Sequence, residues 1–421
     1  MVTFYKRMLL KMEDWLRYHP RIRRLLCHVK RWRPTLANLC AAARLADDPQ
    51  LEQRIQADIV DRVGRLRAEE FNLTLYAPDY REPRIQKAAI LKPYIGPHEK
   101  GIVFVSFESQ WVRLLSQKNV RRFAEQYTLV ISPSSSPHNV INYVFPHFYP
   151  GPIFTLISNA HDLQVLQRIS NRFVVVPLYA SHWVNPQVFQ PLPRSQRRYD
   201  LIMVASWGKV KRHHALFSAL RSMPRDLRVL LVGQDQDGRT ADTIRNLARW
   251  YGVADRLTIL SDQPYAEVAR LFCQSRSSVV LSRREGSCVV VAESLFADTP
   301  VALLHDAVIG SRVFINEQTG RFLDGRNLAK ELTEFIASED RYQPRAWAEK
   351  NIACWQSTEV LNCELKQHAL ARGEGWTQDI APLQWSPDPV LARAEDRQRL
   401  AGERERILRE FALEIGRPAV E

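Results

Sequence analysis

Residues Ser278 to Ala302 read SVVLSRREGSCVVVAESLFADTPVA. An apolar run ends at Ser282. A polar turn follows, then Gly286 and Ser287 open a predicted helix that runs to about Ala297, and a second apolar run, PVALL, covers Pro300 to Leu304. Strand, turn, helix and strand in that order belong to a parallel sheet. Glu285 sits at the mouth of the helix and Glu293 lies inside it. Eight helical positions span at most about 12 Å and leave two side chains about 80° apart. Two carboxylates can therefore flank one side of the helix N-terminus. Such a terminus offers free N–H groups and a positive dipole end, which suit a phosphate over the backbone of Gly286, Ser287 and Cys288. In the plainer alternative, Glu285 is a solvated turn residue and Glu293 an exposed helix residue. Glu293 is set among Val289, Val290, Val291, Ala292, Leu295 and Phe296, where a carboxylate needs a partner.

The same alternation extends both ways. Apolar runs at 199–205, 227–233 and 257–260 precede the stretch, with helical patterns near 211–222, 238–251 and 265–274 between them and one near 327–337 after it. Upstream, runs at Gly101–Phe107, Thr128–Ser132, Ile153–Ser158 and Phe173–Leu178 alternate with helical patterns such as Trp111–Gln126 and Asp162–Ile169. Between the two sets, residues 185–198 (NPQVFQPLPRSQRR) hold three prolines and a basic cluster, the best linker. Two α/β sheets joined by such a linker make an interdomain cleft, a favoured place for a ligand. The expected domains are a basic helical arm (1–68), a first Rossmann-like domain (69–190), a second (191–345) and a helical extension (346–421). Residues 375–390 read as irregular, and Leu400, Ile407, Leu408, Phe411 and Ile415 mark a docking helix.

Composition excludes several classes. The 421 residues are 45% hydrophobic and 25% charged, so the chain is not disordered as a whole. No apolar run reaches membrane-spanning length. The six cysteines form no Cys-x-x-Cys and no zinc spacing, and no secretory signal is visible. A cytoplasmic protein is expected. The formal charge is +13, but residues 1–33 hold ten Lys or Arg against Glu13 and Asp14, which puts +8 of it in one arm. There Tyr5, Met8, Leu9, Met12, Trp15 and Leu16, and beyond Pro20 the set Ile22, Leu25, Leu26 and Val29, recur at helical spacing. A basic amphipathic helix broken near Pro20 fits an anionic bilayer; it equally fits a surface helix packed on the body.

Walker A, G-x-G-x-x-G, G-x-S-x-G, H-E-x-x-H and kinase signatures are all absent. What the chain does show resembles the GT4 family of retaining glycosyltransferases (glycosyl transferases group 1). Its E-x7-E motif falls on Glu285 and Glu293. Val204–Leu220 (VASWGKVKRHHALFSAL) resembles the family's strand-loop-helix that carries an Arg and a Lys on the donor diphosphate. Lys211 falls on the Lys, Ser206 stands at the Arg position, and Lys209 or Arg212 could supply the missing charge. Leu178–Phe189 resembles the lead-in to the family's linker. The resemblance implies a GT-B architecture, α/β with two Rossmann-like domains facing a cleft. It also implies a nucleotide diphospho-sugar donor in the second domain, an acceptor on the first, and transfer with retention and without a metal or other cofactor. Glu285 would then contact the donor sugar, Glu293 the ribose, and Lys211 the leaving diphosphate.

In the first Rossmann-like domain the family's Gly-rich loop is replaced by Val105-Ser-Phe-Glu-Ser109. Glu108, His138 and His161 each follow an apolar run, where acceptor-side groups belong, although each alone also reads as an ordinary loop residue. His213 and His214 open a helix beside the expected phosphate site, and Trp207 reads as core. With the basic arm on a membrane, the acceptor becomes a lipid-linked or saccharide intermediate of surface polysaccharide assembly, at the inner face of the membrane. Rival readings are a sugar-nucleotide epimerase of the same fold, a non-catalytic membrane-bound scaffold and, ranked last, a nucleic-acid binder working through the arm.

Overall fold

The computed structural model describes residues 2–67, 71–134, 136–385 and 388–416, with side chains from Arg7 onward. The boundary drawn at residue 68 lies outside them. The chain forms two compact units: one holds Ser181–Cys354 with the chain up to Glu13, the other Asp14–Ala180 with the chain from Trp355 onward.

In the unit starting at Asp14, five strands lie in sequence order: β1 (Ala88–Lys92), β2 (Gly101–Ser106), β3 (Tyr127–Ser132), β4 (Ile153–Thr155) and β5 (Phe173–Val175). β1 is antiparallel at the edge and the rest are parallel. β2 and β3 are buried at every position, which is why both read as unbroken apolar runs. The loops after β2, β3 and β4 leave from one end of the sheet and carry Glu108, His138 and His161.

The N-terminal arm is helical, as its spacing predicts. It comprises α1 (Val2–Tyr18), α2 (Pro20–Trp32), α3 (Leu36–Leu45) and α4 (Pro49–Gly64). Asp48 caps α4 by accepting from Gln50 N at 3.0 Å, with Pro49 in the first turn, so the proline starts a helix there.

The Ser181–Cys354 unit holds six parallel strands: β6 (Leu201–Val204), β7 (Val229–Gly233), β8 (Leu257–Ser261), β9 (Ser278–Val280), β10 (Val301–Leu304) and β11 (Gly320–Leu323). Their order across the sheet is β11-β10-β9-β6-β7-β8. The chain starts at the centre with β6, winds outward to β8, then returns to the other side of β6 with β9. That reversal is a topological switch point, and ligands of open α/β sheets bind outside the carboxyl ends of the two strands that flank it. The loops in question are 205–212 after β6 and 281–289 after β9.

Gly233 ends β7. A Cβ there would lie 2.3 Å from Ala205 O and 2.8 Å from the buried Trp207 ring. We expect Gly233→Ala to cost about 1–3 kcal/mol by overpacking. A denaturant midpoint equal to that of wild type would contradict this close approach.

Several expectations need correction. The helix predicted from Gly286 begins only at Val290 and ends at Phe296. Cys288 takes a left-handed backbone with φ 56°, which interrupts the helical path. The eight-residue helical separation of Glu285 and Glu293 therefore does not apply. The helical pattern at 111–126 is broken into Glu108–Trp111, a 3-10 turn Val112–Ser116 and Val120–Gln126. Residues 375–390 are not wholly irregular, since Leu383–Trp385 pairs antiparallel with Pro389–Leu391.

Candidate donor site at the switch point

The two loops at the switch point bring Lys211 and Glu285 together. Lys211 Nζ lies 2.7 Å from Glu285 Oε2, with the side chains 21% and 15% exposed. Residues 74 positions apart thus form one half-buried ion pair. Backbone pairing fixes the loop that holds Glu285. Glu285 N donates to Val308 O at 3.1 Å, Gly310 N to Gly286 O at 2.8 Å, and Ser311 N to Ser287 O at 3.0 Å. All three bonds lie along the segment that runs on from β10.

The amides that follow are different. Among the described residues, no acceptor takes the N–H of Gly286, Ser287 or Cys288. Three successive donors without partners in a loop next to a lysine form a cradle for an anion. Ser287 is itself held: its hydroxyl accepts from Ser181 N at 2.8 Å and donates to Ser181 Oγ at 2.8 Å. Burial pushes the Cys288 thiol well up; the charge of Glu285 adds to that, Lys211 opposes it, and Glu293 adds the smallest part.

Glu293 is buried on Val290–Phe296, not exposed. Burial pushes its carboxyl up to about 7, and only the Tyr265 hydroxyl pulls the other way. The remaining candidates spread around the loop after β6. The Ser206 hydroxyl contacts Gln236 Oε1. Arg212, with φ 60°, sends Nη1 to Leu281 O at 3.1 Å, tying this loop to the end of β9. Lys209 Nζ is 2.9 Å from Glu13 Oε1, a residue of α1 that sequence reading did not connect with this loop. His213 is buried, its ring nitrogens have no partner among the described residues, and burial drives its pKa down to about 3. It is a neutral, buried group.

In the Asp14–Ala180 unit, Glu108 is buried and accepts from Ser134 N at 3.3 Å; burial raises its pKa. Phe107 before it has φ 66°, a left-handed conformation that costs about 1–3 kcal/mol in a residue other than glycine. The backbone demands a glycine-like turn there that the sequence does not advertise. His138 and His161 both meet Glu52, a residue of α4 that sequence reading did not single out.

Residues 184–352 match the family model of glycosyl transferases group 1. A search of curated proteins finds no match. Among solved structures, the chain is similar to sucrose-phosphate synthase from Thermosynechococcus elongatus, at 17% identity and TM-score 0.50, over 64% of this chain and 74% of that one. It also aligns with the lipopolysaccharide outer core galactosyltransferase WaaB, at 15% identity and TM-score 0.49, over 76% and 82%. The pneumococcal O-GlcNAc transferase GtfA aligns at 15% identity and TM-score 0.46, over 60% of this chain and 54% of that one. By sequence over residues 184–352, and by a fold of GT-B architecture, the protein resembles the group 1 glycosyltransferases.

Proposed function

We propose that the protein is a retaining glycosyltransferase that moves a sugar from a nucleotide diphospho-sugar to an acceptor, a lipid-linked or saccharide intermediate of surface polysaccharide assembly. One observation carries the reading: at the switch point, the Lys211–Glu285 pair stands beside three amide donors without acceptors. The donor diphosphate takes the N–H groups of Gly286, Ser287 and Cys288. Lys211 then leaves its pairing with Glu285 for the diphosphate, and Glu285 turns its freed oxygen to the sugar hydroxyls. As the acceptor hydroxyl oxygen bonds to the anomeric carbon, the bond from that carbon to the phosphate breaks and the hydroxyl proton passes to the leaving diphosphate, whose growing negative charge Lys211 stabilises in place. Lys209 and Arg212 make up the charge that Ser206 lacks, and no metal is invoked. Glu293 accepts from the ribose hydroxyls. Glu108, His138 and His161 serve the acceptor.

Product analysis tests this reading. Incubation with UDP-, GDP-, CDP- and ADP-sugars and a lipid extract should give nucleoside diphosphate and a glycosylated lipid or saccharide. An epimerised sugar nucleotide formed without acceptor would contradict transfer. So would no turnover at all, which is the scaffold's result.

The arm supports a place on the inner face of the membrane. Among the described residues, no helix is long and apolar enough to cross a bilayer. Yet Met8, Leu9, Met12, Trp15, Leu25 and Val29 are exposed on basic helices, and Trp32 is 81% exposed. Apolar side chains interleaved with Lys and Arg bind anionic lipid surfaces. Deleting residues 1–33 should abolish cosedimentation with phosphatidylglycerol vesicles. Binding that survives the deletion would assign the arm to another partner.

A further inference from the structure

The Asp14–Ala180 unit carries a second polar cluster, at the carboxyl ends of β3 and β4, and its central residue comes from outside the sheet. α4 buries Glu52, Ile55, Gln56, Ile59 and Val63 along one face. A carboxylate on such a face needs partners. Glu52 Oε1 lies 2.6 Å from His138 Nε2, and both Glu52 oxygens lie 2.9 Å from His161 Nε2. An ionised carboxylate can only accept, so both Nε2 atoms carry hydrogen. His138 is buried and its other nitrogen meets the Tyr143 hydroxyl at 2.7 Å. His161 is different: its side chain is 51% exposed, and its Nδ1 has no partner among the described residues.

We propose that Glu52 is the positioning residue of an acceptor-side site: it holds His161 by Nε2, so that the opposite ring nitrogen, Nδ1, presents an N–H to an oxygen atom of the acceptor. The identity of that ligand rests on the transferase reading; the hydrogen bonds do not. The role needs a charged ring, because a neutral imidazole has one N–H and Glu52 already takes it. The surroundings supply that charge. The hydrogen bond that His161 donates to Glu52 is the main influence that raises the pKa of His161, with the charges of Glu52 and Asp162 adding to it, while burial and Arg168 oppose. Burial alone would raise the Glu52 carboxyl, but the hydrogen bonds and charges of His138 and His161 bring it down to about 2. Arg168 in turn donates from Nε to Gln56 Oε1 at 3.0 Å, one turn along α4. In Glu52→Gln the ring loses its anion and titrates lower, so the doubly protonated form that carries hydrogen on both nitrogens is lost at lower pH.

The test uses the full chain labelled with 15N-histidine. Long-range 1H–15N spectra should show the His161 midpoint above the ordinary value in wild type, and lower by about one pH unit in Glu52→Gln. Nucleoside diphosphate release from a mixture of UDP-glucose, UDP-galactose, UDP-N-acetylglucosamine and GDP-mannose, measured with the lipid extract as the source of acceptor, should lose its alkaline limb at correspondingly lower pH. An unmoved midpoint overturns the proposal. So does a rate that falls equally at all pH values, which is the signature of a structural role. Where Glu52→Gln fails to fold, His161→Gln, altered at a half-exposed ring, should slow release by about tenfold or more at pH 6, where the wild-type ring is charged, as expected for a lost hydrogen bond from a charged donor; an unchanged rate overturns the proposal. Failure of wild type to release nucleotide contradicts the transferase reading instead, and the titration then decides this inference alone.

Discussion

Glu285→Gln is expected to lower sugar transfer by about 10²-fold or more while the fold stays intact. The substitution keeps the size of the side chain and removes its charge. In the resting site that charge faces Lys211 at 2.7 Å. In the working site, on the proposed reading, it faces the sugar hydroxyls. Lys211→Ala should weaken nucleotide binding and transfer together, because the lysine acts on the diphosphate in both the bound and the reacting state. The two losses should be far from additive in a double-mutant cycle, since each residue is the other's partner. Thermal unfolding of each variant separates the effects: a lost rate with a retained midpoint supports the assigned roles. A full transfer rate in Glu285→Gln would remove Glu285 from the chemistry.

Glu293 should make stability fall as pH rises. Its carboxyl titrates near 4.5 when unfolded and is pushed up to about 7 in the fold by burial. The folded state therefore holds a proton that the unfolded state releases between those values. Stability from this group is fully present below pH 4.5 and is lost as pH climbs through 7, by about 3 kcal/mol in all. Glu293→Gln removes the titration and keeps the shape. The difference in stability between wild type and variant should thus swing toward the variant from pH 5 to pH 9. A difference that stays flat across that range would mean that Glu293 is ionised in the fold and partnered there. The same variant should bind nucleotide more weakly, because an amide replaces the acceptor proposed for the ribose.

The strands of both sheets were legible where both faces are buried, because burial on both sides leaves an uninterrupted apolar run. Gly101–Ser106 and Val229–Gly233 are of this kind. Gly320–Leu323 is not legible in this way: Arg321 interrupts its apolar pattern, and among the described residues it is an edge strand beside Val301–Leu304. Of the candidate donor site, Lys211 and Glu285 could be named from sequence, but not their contact, which only the order of the strands creates. The premature helix start at Gly286 has a local cause. Gly-Ser before an apolar run looks like a cap, and nothing in a cysteine signals the left-handed turn at Cys288. Glu52 was invisible for another reason. It sits at helical spacing with Ile55, Ile59 and Val63 on one buried face, and its partners His138 and His161 lie 86 and 109 residues away. Glu13 meets Lys209 across 196 residues, and no local pattern records such a pairing.

On the proposed reading, the loops after Leu201–Val204 and Ser278–Val280 hold a nucleoside diphosphate. Calorimetric titration of wild type and Lys211→Ala with UDP, GDP, CDP and ADP tests it most directly. Saturable binding of one of these nucleotides to wild type is expected, weakened about tenfold or more in Lys211→Ala by the loss of a charge-assisted contact. Equal affinity in the variant, or no binding of any of the four by wild type, would contradict it.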